Sequence, residues 1–233
     1  MQRIRVIGHR GAAHAEPENS LAGLKKAIAM GADGAEFDVR ITQDCVPVLM
    51  HDETLDRTTG ATGRISSTKL ADLENAKLAN GEKVPRLGDA LAALTGAGEI
   101  HLDIKDGGSA LPACAAVFGA RMQDRVIFSS SCGPWLLGLK MKYPKARVAF
   151  SCGERRHDAV RIAASLRAEA LHLSRWAATG KLVDEAHAGG LNVYVWTVDK
   201  PRHARKCLKL GADGVFTNRL DALLPMLEEL VKE

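Results

Sequence analysis

The feature that most constrains the fold is a rhythm. Short, β-branched, apolar segments recur along the chain and alternate with longer stretches of helical period. Strands are predicted over 4–8, 34–39, 100–104, 125–129, 146–150, 170–173, 192–196 and 214–217. Amphipathic helices are predicted over 20–30, 87–94, 158–167 and 182–187, with Gly31, Gly96 and Gly189 placed as stops. Eight strands separated by helices give an α/β class and a parallel sheet closing on itself, the (β/α)8 TIM barrel. An internal echo supports this: Met30-Gly-Ala-Asp-Gly34 and Leu210-Gly-Ala-Asp-Gly214 each precede a strand, as one helix-to-strand turn used twice. From residue 100 onward, strand starts recur roughly every 21 to 25 residues; the single large gap, after the second strand, holds a small insertion at about 44–86. An open doubly wound sheet is the alternative, but no GxGxxG follows a strand.

Composition narrows the class of function. With 233 residues, 46% hydrophobic and 26% charged, the chain (1–233) is expected to form one compact domain. The net charge of +4 comes from 32 basic and 28 acidic residues without a single-sign block, so no dedicated nucleic-acid binding is expected. The opening Met1 to His9 lacks a secretory apolar stretch and no run of 18 apolar residues occurs, so a cytoplasmic protein without stable membrane insertion is expected. Cys45, Cys114, Cys132, Cys152 and Cys207 form an odd set without a close CxxC pair, which indicates buried thiols and neither a disulfide framework nor a zinc site.

In a barrel of this kind, reactive groups come from the C-terminal ends of the strands and the loops that follow. There the chain places His9 and Arg10 after the first strand, Glu36 and Asp38 on the second, Asp103 and Lys105 on the third, Trp196 after the seventh and Thr217-Asn218 after the eighth. Glu36 and Asp38 are two apart on a strand and share a face. Two carboxylates so placed repel unless a cation lies between them. Asp103, at matching height on the next strand, supplies a third oxygen donor, and an all-carboxylate set favours Mg²⁺ or Ca²⁺ over zinc. The plain alternative is a structural ion network with Arg10, Arg40 or Lys105.

The segment 40–50 reads as a hairpin with Thr42-Gln-Asp-Cys45 at its tip. Pairing Thr42 with Cys45 sets residues summing to 87 opposite one another and brings His51 down against Glu36. Two imidazoles converging on a carboxylate cluster can divide the roles of acid and base. Arg10 offers a planar fork matched to phosphate oxygens and Lys105 a point charge; a salt bridge from Arg10 to Glu36 or Glu18 is its structural alternative. Together these groups describe a phosphoryl-transfer site. His14, His101, His157, His172, His187 and His203 lack such company and are read as non-catalytic.

The motifs His9-Arg10-Gly11, Pro17-Glu18-Asn19-Ser20, Gly34-Ala-Glu36-Phe-Asp38-Val and Val48-Leu-Met-His51-Asp52-Glu-Thr54-Leu55-Asp56-Arg57-Thr58-Thr59-Gly60 together resemble the glycerophosphodiester phosphodiesterase family, in its short bacterial cytosolic type. The likeness extends through Pro85 to Leu87, Trp196-Thr197-Val198 and Gly211 to Asn218. It implies hydrolysis of a glycerophosphodiester to sn-glycerol 3-phosphate and an alcohol. By position, Glu36, Asp38 and Asp103 would bind the metal, His9 and His51 would be acid and base, and Arg10 and Lys105 would hold the phosphate. Trp196 would wall the glycerol pocket or serve as plain core. Three departures stand out: Asp103 where Glu is usual, Ser129-Ser-Ser131-Cys132 in place of Ser-Phe, which removes an aromatic wall, and Asn218 where Asp is common. Two rival readings are action on lysophospholipids, which needs an apolar lip, and a binding barrel that has lost catalysis. The C-terminal helix over 220–230 is expected to pack on its own barrel or on a second copy in a homodimer.

Overall fold

The computed structural model describes residues 3–154 and 157–232. Nine strands occur among them: β1 (Arg5–Gly8), β2 (Gly34–Ile41), β3 (Pro47–Leu49), β4 (Glu99–Ile104), β5 (Val126–Ser130), β6 (Arg147–Cys152), β7 (Ala170–Ser174), β8 (Asn192–Trp196) and β9 (Gly214–Thr217). Eight are parallel and neighbour one another in the order β1-β9-β8-β7-β6-β5-β4-β2, and a β1–β2 pairing closes the ring. The helices between them are α1 (Leu21–Ala29), α2 (Leu70–Leu73), α3 (Leu87–Ala93), α4 (Gly107–Gly119), α5 (Gly133–Lys142), α6 (Ala159–Ser165), α7 (Gly180–Ala188), α8 (Pro201–Lys209) and α9 (Leu220–Lys232). This is the (β/α)8 barrel expected from the rhythm. No described helix is long and apolar enough to cross a membrane.

The repeated Gly-Ala-Asp-Gly turn has a physical explanation. Gly31 and Gly211 take φ of +91° and +79°, the left-handed conformation glycine adopts without a Cβ penalty. Each ends its helix in a double hydrogen bond: Gly31 N–H to Ile28 and Ala32 N–H to Ala27, Gly211 N–H to Leu208 and Ala212 N–H to Cys207. The aspartates then accept from the second residue of a neighbouring strand, Asp33 Oδ2 from Val6 N–H at 2.9 Å and Asp213 Oδ2 from Val193 N–H at 2.7 Å. Helix α6 uses the same closure with Arg167 at φ +50° in place of glycine, which is why it stops at Ser165, short of the predicted 167.

Burial separates three apolar clusters. The largest lies between barrel and helices and includes Leu24, Phe37, Leu102, Phe128, Leu136 and Val193. A second fills the barrel interior with Ile7, Ile127, Ala149, Ala170, Tyr194 and Phe216. The third belongs to the segment between β3 and α3, where Val48, Met50, Leu55, Ile65, Leu73, Ala76 and Val84 pack together. The C-terminal α9 lies on its own barrel, burying Leu220, Leu223 and Met226 in the largest cluster.

The hairpin register differs from the sequence expectation by one residue. β2 and β3 pair as Val39 with Leu49, Arg40 with Val48 and Ile41 with Pro47, summing to 88. The turn holds three residues inside a Thr42 to Val46 closure, because Cys45 adopts φ +62° and adds one residue to the two-residue turn assumed. A one-residue slip exchanges the faces of a strand, so His51 does not descend opposite Glu36 by pairing. It reaches the barrel mouth from the segment just beyond β3, where Met50 N–H still binds Asp38 O and the His51 carbonyl accepts from Arg40 Nε at 2.9 Å.

Candidate active site

One cavity of about 400 Å³ opens at the C-terminal ends of the strands. It is lined by His9, Arg10, Glu36, Asp38, His51, Asp103, Lys105 and Trp196, so the eight residues given a role from the sequence converge on it, while Thr217 and Asn218 do not line it. Ser129, Ser131, Trp135, His172 and Phe216 complete much of its wall and floor.

His9 follows β1 directly. Its Nδ1 lies 2.8 Å from Asn218 Oδ1, and Asn218 is itself held by Asp199, which accepts from the amide side chain at 2.9 Å and from the Asn218 backbone at 2.8 Å. Because the Asn218 NH₂ group is committed to Asp199, its oxygen faces the ring, so His9 Nδ1 carries the proton. Nε2 is then a lone pair, 4.0 Å from Glu36 Oε2. Burial, and after it the Arg10 guanidinium, lower the His9 pKa and hold the ring uncharged. His51 is oriented by a different kind of partner: its Nδ1 lies 2.7 Å from Asp52 Oδ1. Arg57 grips Asp52 and reaches across to Glu18, and this hydrogen bonding holds the Asp52 carboxyl below its ordinary range.

The three acids sit on neighbouring strands in register, Asp38 beside Asp103. Asp38 is clamped by Asn19, whose side chain donates at 2.9 Å and accepts from the Asp38 backbone at 3.0 Å. It also pairs with Lys105 Nζ at 3.0 Å and Arg10 Nε at 3.2 Å. Burial opposes its ionisation, but Lys105, Arg10 and His51 outweigh it and bring its pKa down to about 2. Asp103 receives Lys105 Nζ at 2.5 Å and Ser129 Oγ at 2.8 Å. Glu36 accepts the Arg10 backbone N–H at 2.8 Å. Burial first, then Asp38 and Asp103, push the Glu36 pKa well above the carboxylate range.

The structural alternatives are therefore partly realised. Arg10 does pair with Glu18, at 2.8 Å, and with Asp38 rather than with the Glu36 carboxylate. Lys105 bridges two of the acids, and burial is outweighed by Asp103 and Asp38 in raising its pKa. Among the described residues, no three His, Cys, Asp or Glu side chains are grouped at the spacing of a ready metal site. The donor set nonetheless fits a hard divalent cation. It is all oxygen, and Glu36 is a buried carboxyl beside two others whose nearest ammonium is engaged by those two.

Trp196 forms one wall, packed against the interior cluster on one side, and its indole N–H is buried with no hydrogen-bond partner among the described residues. The aromatic wall expected to be missing beside Ser131 is supplied by Trp135 from α5. Sequence reasoning gave no role to Asn19, Asp52, Ser129, His172 or Asp199. Asn19 and Asp52 lie inside the quoted motifs and Ser129 opens the Ser129-Ser-Ser131-Cys132 departure; His172 and Asp199 carry no local signal.

A parallel barrel whose strand ends bring two anchored imidazoles, clustered acids and two cations to one cavity has the groups that acid–base chemistry on a charged substrate requires. The sequence model of the glycerophosphoryl diester phosphodiesterase family matches residues 9–222, and the chain belongs to that family. The glycerophosphodiester phosphodiesterase of Caldanaerobacter subterraneus subsp. tengcongensis is 30% identical over 243 residues, covering 96% of this chain and 98% of the relative. The glycerophosphodiester phosphodiesterase of Thermotoga maritima superimposes with a TM-score of 0.81 at 27% identity, covering 100% of this chain and 99% of that one. An Oleispira antarctica phosphodiesterase, solved with the product sn-glycerol-3-phosphate, superimposes with a TM-score of 0.87 at 25% identity, over 99% and 98% of the two chains.

Proposed function

We propose that the protein hydrolyses glycerophosphodiesters, the deacylated headgroups of phospholipids, to sn-glycerol 3-phosphate and an alcohol, with a divalent cation and two histidines. The observation that carries this reading is the pair of imidazoles on one cavity, each tied through Nδ1, one to a neutral amide and the other to a carboxylate. Family membership and the product held by the Oleispira protein support the substrate class.

His9, uncharged and with Nε2 free, takes the proton from the attacking oxygen, that of water or of the substrate's own glycerol, as that oxygen bonds to phosphorus. His51, oriented through Nδ1 by Asp52, gives a proton to the leaving alcohol oxygen as the second phosphorus–oxygen bond breaks. When water attacks, exchange with solvent restores both rings. When the glycerol oxygen attacks, the step leaves a cyclic glycerol phosphate, which water opens to sn-glycerol 3-phosphate as His51 takes the water's proton and His9 returns its proton to the glycerol oxygen. Arg10 and Lys105 place positive charge beside the phosphate, and Trp196 and Trp135 wall the organic part of the substrate. Glu36, Asp38 and Asp103 would hold Mg²⁺ or Ca²⁺, which when bound supplies Lewis-acid polarisation of the phosphate. Residues 1–233 act as one unit in this reading, and five cysteines without a disulfide among the described residues suit a cytoplasmic location.

Release of sn-glycerol 3-phosphate from glycerophosphocholine, abolished by a chelator and restored by Mg²⁺ or Ca²⁺, is the expected result. Failure to release it from any glycerophosphodiester overturns the reading.

A further inference from the structure

Beneath the cavity a second polar cluster runs down the barrel interior, and the reaction described above does not use it. Its base is Glu99, at the start of β4 and mostly buried, which accepts from Arg5 at 3.1 Å, Arg147 at 3.4 Å and the Tyr194 hydroxyl at 2.5 Å. His101 stands above it, fully buried, with Nε2 3.1 Å from the same carboxylate. His172 comes next: its Nε2 is 3.2 Å from His101 Nδ1, and its ring stacks edgewise at 4.9 Å on Phe216. Both His172 and Phe216 reach the cavity floor.

The order of donors along this ladder follows from its base. A carboxylate gripped by two guanidiniums and a phenol only accepts, so His101 Nε2 must carry a hydrogen. Arg5 and Arg147 already balance the charges of Glu99 and Glu169, and the ring lies among Tyr194, Phe216 and His172, so a third cation there has no counter-charge. An uncharged His101 with its hydrogen on Nε2 offers a lone pair at Nδ1. His172 Nε2–H donates to that lone pair, and burial keeps His172 uncharged as well. The remaining nitrogen, His172 Nδ1, is a lone pair with no hydrogen-bond partner among the described residues, on a side chain that lines the cavity. A chain of bonds anchored at the far end of the barrel thus fixes a tautomer at the floor of the site.

We infer that His172 Nδ1 is a hydrogen-bond acceptor that selects ligands bearing a free hydroxyl beside their phosphate. The inference rests on the proposed phosphodiesterase reading, in which that hydroxyl belongs to the glycerol moiety. It makes His172 a binding and specificity residue, with no part in proton transfer.

Binding of sn-glycerol 3-phosphate and of propyl phosphate, which has the same carbon count and no hydroxyl, tests it by calorimetry. The wild-type protein is expected to prefer the hydroxylated ligand by about tenfold or more. His172→Phe is expected to bring the two within about twofold while leaving propyl phosphate unchanged. No preference in the wild type, or equal weakening of both ligands in the variant, overturns the inference. Should His172→Phe not fold, ¹⁵N spectra of the histidine-labelled wild-type protein decide: His172 protonated at Nε2 and bare at Nδ1 supports the inference, and the opposite tautomer or an imidazolium overturns it. Hydrolysis of glycerophosphocholine, followed alongside, keeps the two readings apart. Its absence removes the phosphodiesterase function while the tautomer result stands, whereas intact hydrolysis with no hydroxyl preference removes only the role of His172.

Discussion

Glu99→Gln should lower stability more than any exposed ion pair could. The carboxylate is 13% exposed and accepts from His101, Tyr194, Arg5 and Arg147 at once. Glutamine keeps one acceptor oxygen and loses the charge, so at least one charge-assisted bond disappears and Arg5 loses its counter-ion, while Arg147 keeps Glu169 at 2.8 Å. Such a loss costs about 2 to 3 kcal/mol, less than a fully buried pair because Arg5 is 44% exposed. For a chain of this length that corresponds to a fall of roughly 4 to 12 °C in Tm. Burial opposes ionisation of Glu99, but hydrogen bonds from His101 and Tyr194 and the charge of Arg5 outweigh it and hold its pKa far below the ordinary value. The folded protein therefore binds fewer protons here than the unfolded chain does. The stabilisation is complete above the ordinary glutamate range and is lost as acid titrates the folded carboxylate. The Tm deficit of the variant, read by differential scanning calorimetry, should be full at pH 7 and smaller at pH 3. A drop under about 1 °C at pH 7, or an equal deficit at both values, refutes the reasoning.

Further outcomes follow from other parts of the molecule. His9→Ala and His51→Ala should each lower turnover of glycerophosphocholine by at least about 10² with the fold intact by circular dichroism; a fully active variant of either removes its assigned role. Glu36→Gln should weaken Mg²⁺ or Ca²⁺ binding in titration calorimetry, yet raise Tm measured without metal, because it removes a carboxylate whose ionised form is disfavoured by burial and by Asp38 and Asp103. A loss of metal-free Tm instead favours a purely structural ion network. Gly34→Ala would put a Cβ 1.9 Å from the Glu99 carbonyl oxygen, backbone that cannot swing aside, and should cost about 1 to 3 kcal/mol on chemical denaturation. Gly60→Ala, where the added methyl meets open space, should stay within about 0.5 kcal/mol of wild type and serves as its control.

Much of this protein is determined by local rules alone. Short β-branched apolar runs mark the eight parallel strands and helical period marks several of the helices between them, a rhythm that fits a closed parallel barrel. Glu36 and Asp38, two apart on a strand, must share a face in any fold that keeps the strand. The left-handed glycine of each Gly-Ala-Asp-Gly turn is also local, whereas its aspartate binds Val6 or Val193, 27 and 20 positions back, and needs the neighbouring strand in place. What tertiary structure decided is the company each reactive group keeps. The amide behind His9 arrives from residue 218, and Lys105 lies between Asp38 and Asp103 and pairs with both. Trp135 comes in from a helix to replace a missing wall, and a left-handed Cys45 shifts the hairpin by one residue. His101 and His172, 71 positions apart, meet only when the barrel closes. Backbone periodicity follows from steric preferences of single residues, whereas proton placement and charge balance depend on atoms that closure of the sheet brings within 3 Å.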